Sequence, residues 1–409
     1  MKKFFCEINK KEISYLSLIR DLNKRKEYKY VSNHNDFYLI FRDIVASLLN
    51  DSKIVLIDSD LSQNEVEKLN IFSDELQRIY KCEYPDIQDI DDLLTRLTIP
   101  RNKWRVDLFT SGTTGVPKKI THTFDSITRA VKISPDKKAD VWGFAYNPTH
   151  IAGVQVFFQA LLNLNTIVNL FNLKKDDIIK SIDYYKITNI SATPTFYRLL
   201  YDGSKKFENV KRVTSGGEKL DSKLFNLLQS MFPNAKILNV YASTEIGTLF
   251  ASYGEYFVLK ESLRDKIKII DNELYVSSEY INNDDNDLAQ DNWYKTGDYV
   301  EVISDNPLTI KIIGRINEIV NIGGYKVHLS EVEEAINSLP FVVNCSVYSK
   351  RNSVLGNIIM CDVVLKEKSI SEQDIHKFLS SKLQPFKIPR IINIVEEIKT
   401  TRTGKVQRI

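Results

Sequence analysis

The sequence predicts an α/β protein with a large N-terminal domain and a small C-terminal domain, and three observations indicate this fold class. Between residues 105 and 245, short apolar runs alternate with helical segments, which is typical of βαβ units on a sheet covered by helices on both faces. After Gly247, short strands alternate with polar turns, which predicts a small β subdomain. Beyond Gly314, a compact alternation of strands and helices predicts an α+β unit. We therefore expect domains over residues 1–314 and 315–409.

Residues 1–100 give the weakest signals. A helical pattern at Phe37–Leu49 precedes Lys53–Asp58, an apolar run between polar residues that predicts a buried strand. Further helices are predicted at Gln63–Leu69 and Asp74–Cys82. No residue here lies in a pattern typical of a reactive group, so we predict a structural role for this stretch.

The remaining elements are predicted from the same periodicities. Helices are expected at Val154–Leu164, Asp176–Tyr185, Pro194–Leu200, Ser222–Met231, Ser330–Leu339 and Ser371–Leu383. Strands are expected at Thr166–Leu170, Thr188–Ala192, Lys211–Ser215, Ala235–Val240, Lys266–Ile270, Glu273–Val276, Val342–Tyr348 and Ile358–Leu365. Ligands of such sheets bind at the carboxyl ends of strands, where we expect the polar loops 110–119, 215–218 and 241–247.

Composition and charge narrow the function classes. The 409 residues are 43% hydrophobic and 27% charged, which is ordinary for a soluble globular protein. A net charge of +3 over 56 basic and 53 acidic residues does not indicate nucleic acid or an anionic membrane as partner. The four cysteines have no metal-ligand spacing and are predicted to be buried, reduced thiols. No stretch resembles a membrane span or a signal peptide, so we expect a cytoplasmic location.

A hydroxyl- and glycine-rich loop at residues 110–119 predicts a phosphate site. Gly112 and Gly115 would let backbone N–H groups approach an anion closely. Further hydroxyl donors and positive charge come from Thr110, Ser111, Thr113, Thr114, Lys118 and Lys119. The P-loop of nucleotide triphosphatases is excluded, because only two residues separate the glycines and Pro117 precedes the lysine. A Ser/Thr/Gly turn is often only a loop or a cap, so this stretch alone leaves function open.

Four later motifs follow this loop in a fixed order. They are Tyr241-Ala-Ser-Thr-Glu245, Trp293-Tyr-Lys-Thr-Gly-Asp298, Gly314-Arg315 with Gly323-Gly324-Tyr-Lys326, and Thr403-Gly-Lys405. Together with the loop, this series over residues 105–409 resembles the adenylate-forming superfamily of AMP-dependent synthetases and ligases, and acyl- and aryl-CoA synthetases in particular. Many relatives have a longer N-terminal region, so we interpret the beginning of this chain as a shortened version of it.

The resemblance implies a two-step reaction that uses ATP and Mg²⁺. In the first step a substrate carboxylate attacks the α-phosphate of ATP, giving acyl-AMP and pyrophosphate. The resemblance assigns residues 110–118 to the β- and γ-phosphates, Thr244 to the α-phosphate and Glu245 to Mg²⁺. It implies that Lys405 accelerates this step, because an ammonium group between the carboxylate and the α-phosphate stabilises the charge that develops there.

The resemblance also implies how adenosine is bound. Tyr241 is expected against the adenine face, and Asp298 is expected to accept hydrogen bonds from both ribose hydroxyls, supported by Arg315. The edge of the base would be lined by the backbone of Gly216, Gly217 and Glu218.

In the second step a thiol attacks acyl-AMP after the C-terminal domain, which is mobile in this superfamily, rotates about a hinge. Gly324 and Lys326 are implied to lie beside the pantetheine arm of coenzyme A. The hinge position is Asn317, where the superfamily commonly has Asp. Asn tolerates the backbone change that a hinge needs, so rotation is not excluded.

The acid is indicated only by class. His150, in Asn147-Pro-Thr-His-Ile-Ala-Gly153, matches the segment that acyl and aryl ligases place beside the carboxylate pocket, which makes it a candidate catalytic residue. Amino-acid-activating relatives commonly have an Asp-containing segment at this point to hold the α-ammonium group, and this sequence lacks one. The pattern therefore favours a small carboxylic acid without an α-amino group.

Two alternatives remain open at the level of the sequence. The acceptor is coenzyme A in our interpretation, but the phosphopantetheine arm of an acyl carrier protein would suit the same chemistry. A catalytically silent nucleotide-binding protein of the same fold is the alternative from another class, although Lys405, Glu245 and Asp298 are all present. The sequence does not indicate the oligomeric state.

Overall fold

The structure is a computed structural model that describes residues 2–8, 11–110, 117–281, 289–322, 324–352, 356–367, 369–402 and 405–406. Its helices are α1 Tyr15–Arg25, α2 Phe37–Leu49, α3 Gln63–Lys68, α4 Ser73–Gln77, α5 Ile90–Thr98, α6 Phe124–Thr128, α7 Ile151–Leu161, α8 Lys175–Tyr184, α9 Pro194–Leu200, α10 Ser222–Met231, α11 Leu329–Asn337 and α12 Glu372–Ser380. Within these ranges no helix is long and apolar enough to cross a membrane.

The strands of the first part of the chain are β1 Lys3–Glu7, β2 Lys11–Ser14, β3 Glu27–Lys29, β4 Val31–Ser32, β5 Ile54–Leu56, β6 Ile79–Lys81, β7 Arg105–Thr110, β8 Lys118–Thr123, β9 Val141–Phe144, β10 Thr166–Asn169, β11 Asn189–Ala192, β12 Arg212–Gly216, β13 Lys236–Ser243 and β14 Gly247–Ser252. Those that follow are β15 Tyr256–Val258, β16 Ile267–Ile270, β17 Glu273–Ser277, β18 Ala289–Gln290, β19 Trp293–Asp305, β20 Leu308–Arg315, β21 Ile319–Ile322, β22 Tyr325–His328, β23 Val342–Asn352, β24 Gly356–Leu365 and β25 Ile391–Ile394.

The largest sheet has the order β14-β13-β12-β11-β9-β10-β1-β2. Its six central strands are parallel, and helices α7 to α10 connect β9 to β13 in succession. The predicted βαβ alternation is therefore confirmed over this part of the chain. The predicted helix at Ser222–Met231 has the observed bounds, because Asp221 caps its first turn and Leu224, Leu228 and Met231 form one buried face.

The segment at residues 105–123 differs from the prediction. β7 lies in a second sheet of order β4-β5-β7-β8, where it pairs with β8 in antiparallel register, Thr110 opposite Lys118. The described ends of the phosphate-site loop, Thr110 and Lys118, therefore belong to two neighbouring antiparallel strands and not to a βαβ unit. The predicted helix at Asp74–Cys82 is also wrong, since α4 ends at Gln77 and the chain then forms β6.

The first strand of the chain was not predicted. β1 pairs with β10, with Phe5 opposite Ile167, and inserts the fully buried rings of Phe4 and Phe5 into the main core. In that core the rings of Phe41 from α2 and Phe157 from α7 stack at 4.5 Å. Residues 1–100 thus supply part of the core on which the main sheet rests.

The remaining sheets follow β14. The predicted β subdomain is confirmed as the antiparallel order β15-β20-β19-β17-β16, with β18 beside β19. The C-terminal residues form the hairpin β21–β22 and the sheet β23-β24-β25, which pack with α11 and α12 around their own core. Asn317 lies in a single 3₁₀ turn, Ile316–Glu318, between β20 and β21.

Two lysines fix the C-terminal core against the large sheet. The ammonium group of Lys223, in α10, donates to the carbonyl oxygens of Asn337, Leu339 and Val342 at 2.5, 2.7 and 3.2 Å. Asn337 is the last residue of α11, where orphan acceptors and the helix dipole favour a cation, and the other two carbonyls belong to the chain that follows it. Lys219 forms a 2.5 Å ion pair with Glu334 of the same helix. These contacts join α10, which packs on the main sheet, to α11 of the C-terminal core.

Candidate active site

The candidate site lies where β12 and β13 end. These neighbours are parallel, with Gly216 opposite Val240, so residues 216–218 and 241–245 meet at one edge of the sheet. Gly217 adopts φ +85°, a left-handed conformation that favours glycine. A Cβ atom on Gly217 would lie 3.1 Å from Cε of Lys405, so the close approach of this lysine also favours glycine.

Tyr241, Asp298 and Arg315 form one hydrogen-bonded group at this edge. The Tyr241 hydroxyl donates to Oδ2 of Asp298 at 2.5 Å, and Nη1 of Arg315 lies 3.3 Å from Oδ1. Burial raises the pKa of Asp298, against the opposing effects of Arg315 and the Tyr241 hydroxyl. Each carboxylate oxygen keeps a further lone pair, so Asp298 retains the capacity to accept from two hydroxyl groups.

The ring of Tyr241 is itself packed. It stacks on Phe250 at 4.8 Å and is only 8% exposed. At most the opposite face of the ring is therefore left for a planar ligand.

Lys405 reaches this group from the C-terminal tail. The tail is anchored by Glu218, whose Oε1 accepts from the backbone N–H of Val406 at 2.8 Å. The other oxygen, Oε2, accepts from the N–H and the hydroxyl of Thr195 at 3.0 and 2.8 Å. The prediction for residues 216–218 concerned their backbone, and the role of the Glu218 side chain as a latch was missed.

The ammonium group of Lys405 has lost much of its hydration, although the residue as a whole remains exposed. This desolvation lowers its pKa, while the nearby carboxylates of Glu218, Asp298 and Glu245 act in the opposite direction. Lysine and three carboxylates from distant parts of the chain are thus within electrostatic reach of one another.

Thr244 and Glu245 follow β13 and are held by a residue that the sequence did not single out. Nε2 of His122, in β8, donates to the carbonyl oxygen of Thr244 at 2.6 Å. Burial lowers the pKa of His122 to about 4, so the ring is neutral at pH 7 and Nδ1 accepts from Ser126 at 3.1 Å. The carboxylate of Glu245 has no protein partner among the described residues, which suits a group that binds a cation together with a ligand.

The core of the phosphate-site loop, Ser111, Gly112, Thr113, Thr114 and Gly115, lies outside the described residues. Its two ends are well anchored. Asp107 of β7 is buried, accepts from the Thr121 hydroxyl of β8 at 2.8 Å and forms a 2.8 Å ion pair with Lys53. Lys118 is exposed at the start of β8, and this strand also carries His122, so the loop and Thr244 are joined through one strand.

His150 lies at the N-cap position of α7, and its ring contacts Asp58, two residues beyond β5. Nε2 of His150 is 3.3 Å from Oδ2 of Asp58. Asp58 belongs to the stretch for which a structural role was predicted, and no local pattern identified it.

Gly324 and Lys326 are not brought to this cleft. Both are exposed on the β21–β22 hairpin, where Gly324 has φ +94° and donates its N–H to Oδ1 of Asn321 at 2.8 Å. No hydrogen bond between the described residues joins them to Asp298 or Lys405.

Two family models match this chain. A model described as "AMP-binding enzyme" matches residues 18–273, and one described as "AMP-binding enzyme C-terminal domain" matches residues 331–405. Together they include most of the residues of the cleft.

Curated relatives are distant in sequence. The chain is 24% identical over 346 residues to 4-coumarate–CoA ligase-like 6 of Arabidopsis thaliana, covering 74% of this chain and 60% of the relative. It is 26% identical to the mitochondrial acyl-coenzyme A synthetase ACSM2A of Homo sapiens, covering 73% and 59%. A plipastatin synthase of Bacillus subtilis is 23% identical over 90% of this chain and 16% of the relative. The chain spans about three fifths of the length of the first two relatives.

Solved structures share the fold over nearly the whole chain. o-Succinylbenzoate CoA synthetase of Bacillus subtilis, solved with an acyl-adenylate intermediate, matches with a TM-score of 0.71 at 18% identity, over 99% of this chain and 94% of that one. ATP-bound MatB of Rhodopseudomonas palustris matches with a TM-score of 0.73 at 16% identity and the same coverage. At these identities the likeness is one of fold.

Proposed function

Because the chain belongs to the AMP-binding enzyme family, we propose that it activates a carboxylic acid as acyl-AMP and transfers the acyl group to the thiol of coenzyme A. The observation that carries this proposal is the convergence of Lys405 on Asp298, Arg315 and Glu245, with Glu218 holding the C-terminal tail in place. One ammonium group within reach of a ribose-binding carboxylate and a metal-binding carboxylate suits the α-phosphate region of a bound nucleotide.

In the proposed first step an oxygen of the acid attacks the α-phosphorus of ATP, and the bond from that phosphorus to the pyrophosphate oxygen breaks. Lys405 stabilises the negative charge of both reactants and orients them. Asp298 accepts from the ribose hydroxyls while Arg315 and Tyr241 hold its carboxylate. The loop at residues 110–118 donates to the leaving pyrophosphate, and Thr244 contacts the α-phosphate.

Glu245 fits a Mg²⁺ site, because its carboxylate lies in the cleft without a partner among the described residues. No group of three or more metal-ligating side chains occurs in the parts of the chain that the structure describes. Mg²⁺ needs no such group, because it usually binds one or two protein carboxylates and completes its coordination shell with phosphate oxygens and water. When bound, the ion supplies positive charge that lowers repulsion between the phosphates and the attacking carboxylate.

In the proposed second step the sulfur of the acceptor attacks the acyl carbon, AMP leaves and the thiol proton is released. We propose that residues 315–409 form the mobile domain, with the hinge near Asn317. Rotation would carry Gly324 and Lys326 from their exposed hairpin toward the acyl-AMP. Asn317 lies in an exposed turn between two sheets, a place where a change in backbone angles disturbs little packing.

The proposal also names the acceptor of the acyl group. The names of the human and Arabidopsis relatives favour coenzyme A, whereas the match to the plipastatin synthase over 90% of this chain favours a carrier protein as the alternative. The segment 147–153 contains no acidic residue, which favours an acid without an α-amino group in either case.

The test is acid-dependent exchange of labelled pyrophosphate into ATP over a panel of aliphatic and aromatic acids, with amino acids included. We expect exchange with at least one acid that lacks an α-amino group, followed by thioester formation when coenzyme A is added. Phosphopantetheinylated carrier protein replaces coenzyme A in a parallel reaction to decide the acceptor. A folded protein that binds ATP and supports no exchange with any acid would be the catalytically silent alternative.

A further inference from the structure

Asp58 gathers three hydrogen bonds from one turn of the chain. Its Oδ1 accepts from Nδ2 of Asn147 at 2.8 Å and from the hydroxyl of Thr149. Its Oδ2 lies 3.3 Å from Nε2 of His150. All three donors belong to the four residues that precede α7, and Asp58 comes from the loop after β5, about 90 residues earlier in the chain.

The turn itself is held rigidly. Oδ1 of Asn147 accepts from the N–H of Thr149 at 3.1 Å, and the Asn147 carbonyl accepts from the N–H of His150 at 3.3 Å. A Cβ atom on Gly153 would lie 2.1 Å from that carbonyl oxygen, so the turn folds tightly onto the first turn of α7. The backbone of His150 is therefore fixed, and the remaining freedom of the residue is the rotation of its side chain.

Asp58 sets that rotation. A carboxylate only accepts, so the ring nitrogen that faces it, Nε2, carries the proton. Burial alone would raise the pKa of Asp58, but the bonds from His150, Thr149 and Asn147 outweigh it and lower the pKa to about 2. The acceptor is thus ionised in any neutral solution. Nδ1 of His150 has no partner among the described residues and is the ring nitrogen left to face a ligand.

The three contacts of Asp58 differ in length, and the difference shows which of them hold the carboxylate and which can adjust. The 2.8 Å bond from Asn147 and the Thr149 hydroxyl fix the carboxylate, whereas the 3.3 Å contact to the ring is longer than an optimal N–H···O bond. The ring can tighten or turn against a carboxylate that does not move.

We propose that Asp58 is a positioning residue of the reaction. Through its contact with Nε2, it orients the His150 ring beside the carboxylate of the acid. This inference rests on the proposed function. Residues 1–100 thereby contribute to the active site as well as to the core. Asp58 acts through His150 and contacts neither acid nor ATP.

The test is a double-mutant cycle on Asp58→Asn and His150→Ala, measured by acid-dependent pyrophosphate exchange. Asn at position 58 can still accept from Asn147 and Thr149 through its oxygen, but it turns an N–H toward Nε2, so two donors face each other. We expect kcat/KM for the acid to fall about tenfold or more, as loss of a hydrogen bond to a charged group implies. The KM for ATP should stay near the wild-type value, whereas the thermal midpoint should fall, because the ionised carboxylate of Asp58 stabilises the folded state at neutral pH. The matched control is Asp74→Asn, the same substitution at an exposed position in the N-terminal 100 residues.

The cycle distinguishes positioning from a purely structural role. If Asp58 acts through His150, Asp58→Asn costs nothing further in the His150→Ala background. An equal loss in both backgrounds, or an unchanged kcat/KM in the single variant, overturns the inference while leaving the proposed function intact. A wild-type protein without acid-dependent exchange overturns the proposed function and this inference together.

Discussion

The Glu218 latch gives the most direct test of how the C-terminal tail is held. Glu218→Ala removes the bond from the N–H of Val406 and both bonds from Thr195. Only the first of these joins the tail to the large sheet, so its loss is the one that should release Lys405. Glu218→Gln retains an oxygen that can accept a neutral hydrogen bond and serves as the graded control.

The expected size of the effect follows from that single bond. A hydrogen bond to a charged acceptor contributes about 1.5–3 kcal/mol, and each 1.4 kcal/mol corresponds to a factor of about ten. Glu218 is only partly buried, so solvent screening favours the lower end of this range. We therefore expect Glu218→Ala to slow pyrophosphate exchange about tenfold, and Glu218→Gln to slow it by less.

Exchange should be measured together with acyl transfer from supplied acyl-AMP, a step for which the proposed function assigns no role to Lys405. The Glu218 carboxylate also raises the pKa of Lys405, so its removal should move the alkaline limb of the exchange profile to lower pH. Unchanged exchange in Glu218→Ala would refute the latch. Equal loss of exchange and transfer, with weaker ATP binding, would show instead that Glu218 serves the nucleotide site directly.

Three further predictions concern neighbouring residues. Lys405→Ala should abolish most pyrophosphate exchange and spare transfer from supplied acyl-AMP, and equal loss of both activities would contradict its assignment to the first step. The folded-state pKa of His122, about 4, lies below its unfolded value near 6.5, so His122 stabilises the fold above pH 6.5 and this contribution is lost as the pH falls toward 4. Linkage gives about 2 kcal/mol of lost stability at pH 5 relative to neutral pH, which urea unfolding should detect in the wild type and which should be reduced in His122→Gln. Arg402→Ala, which removes two ion pairs that are largely exposed, should slow exchange less than Glu218→Ala does, because solvent screens exposed pairs; a loss as large as that of Glu218→Ala would assign the tail anchor to Arg402.

Three helices could be predicted from the sequence with accurate bounds. The predicted helices at Phe37–Leu49, Pro194–Leu200 and Ser222–Met231 coincide with α2, α9 and α10. At a fourth predicted helix the prediction failed. Asp74–Cys82 divides into a helix and a strand because β6 is stabilised by pairing with β3, some 50 residues away. A partner at that distance leaves no trace in the local periodicity.

The same limit applies to the candidate site. Tyr241, Asp298, Arg315 and Lys405 were identified by residue type and motif order, and the structure brings them together. The sequence did not predict that Glu218 holds the C-terminal tail, that His122 holds Thr244 or that Asp58 holds His150. Each acts through a single hydrogen bond to a group between 92 and 188 residues away.

The sequence by itself determined the fold class, the alternation of strands and helices in the main sheet and the residue types of the candidate site, because periodicity and motif spacing are local properties of the chain. Only the tertiary structure decided which groups hold the reacting ones in place. A carboxylate or an imidazole at a strand end has no distinguishing neighbours in sequence. Its function is set by the donor or acceptor that folding places within about 3 Å of it.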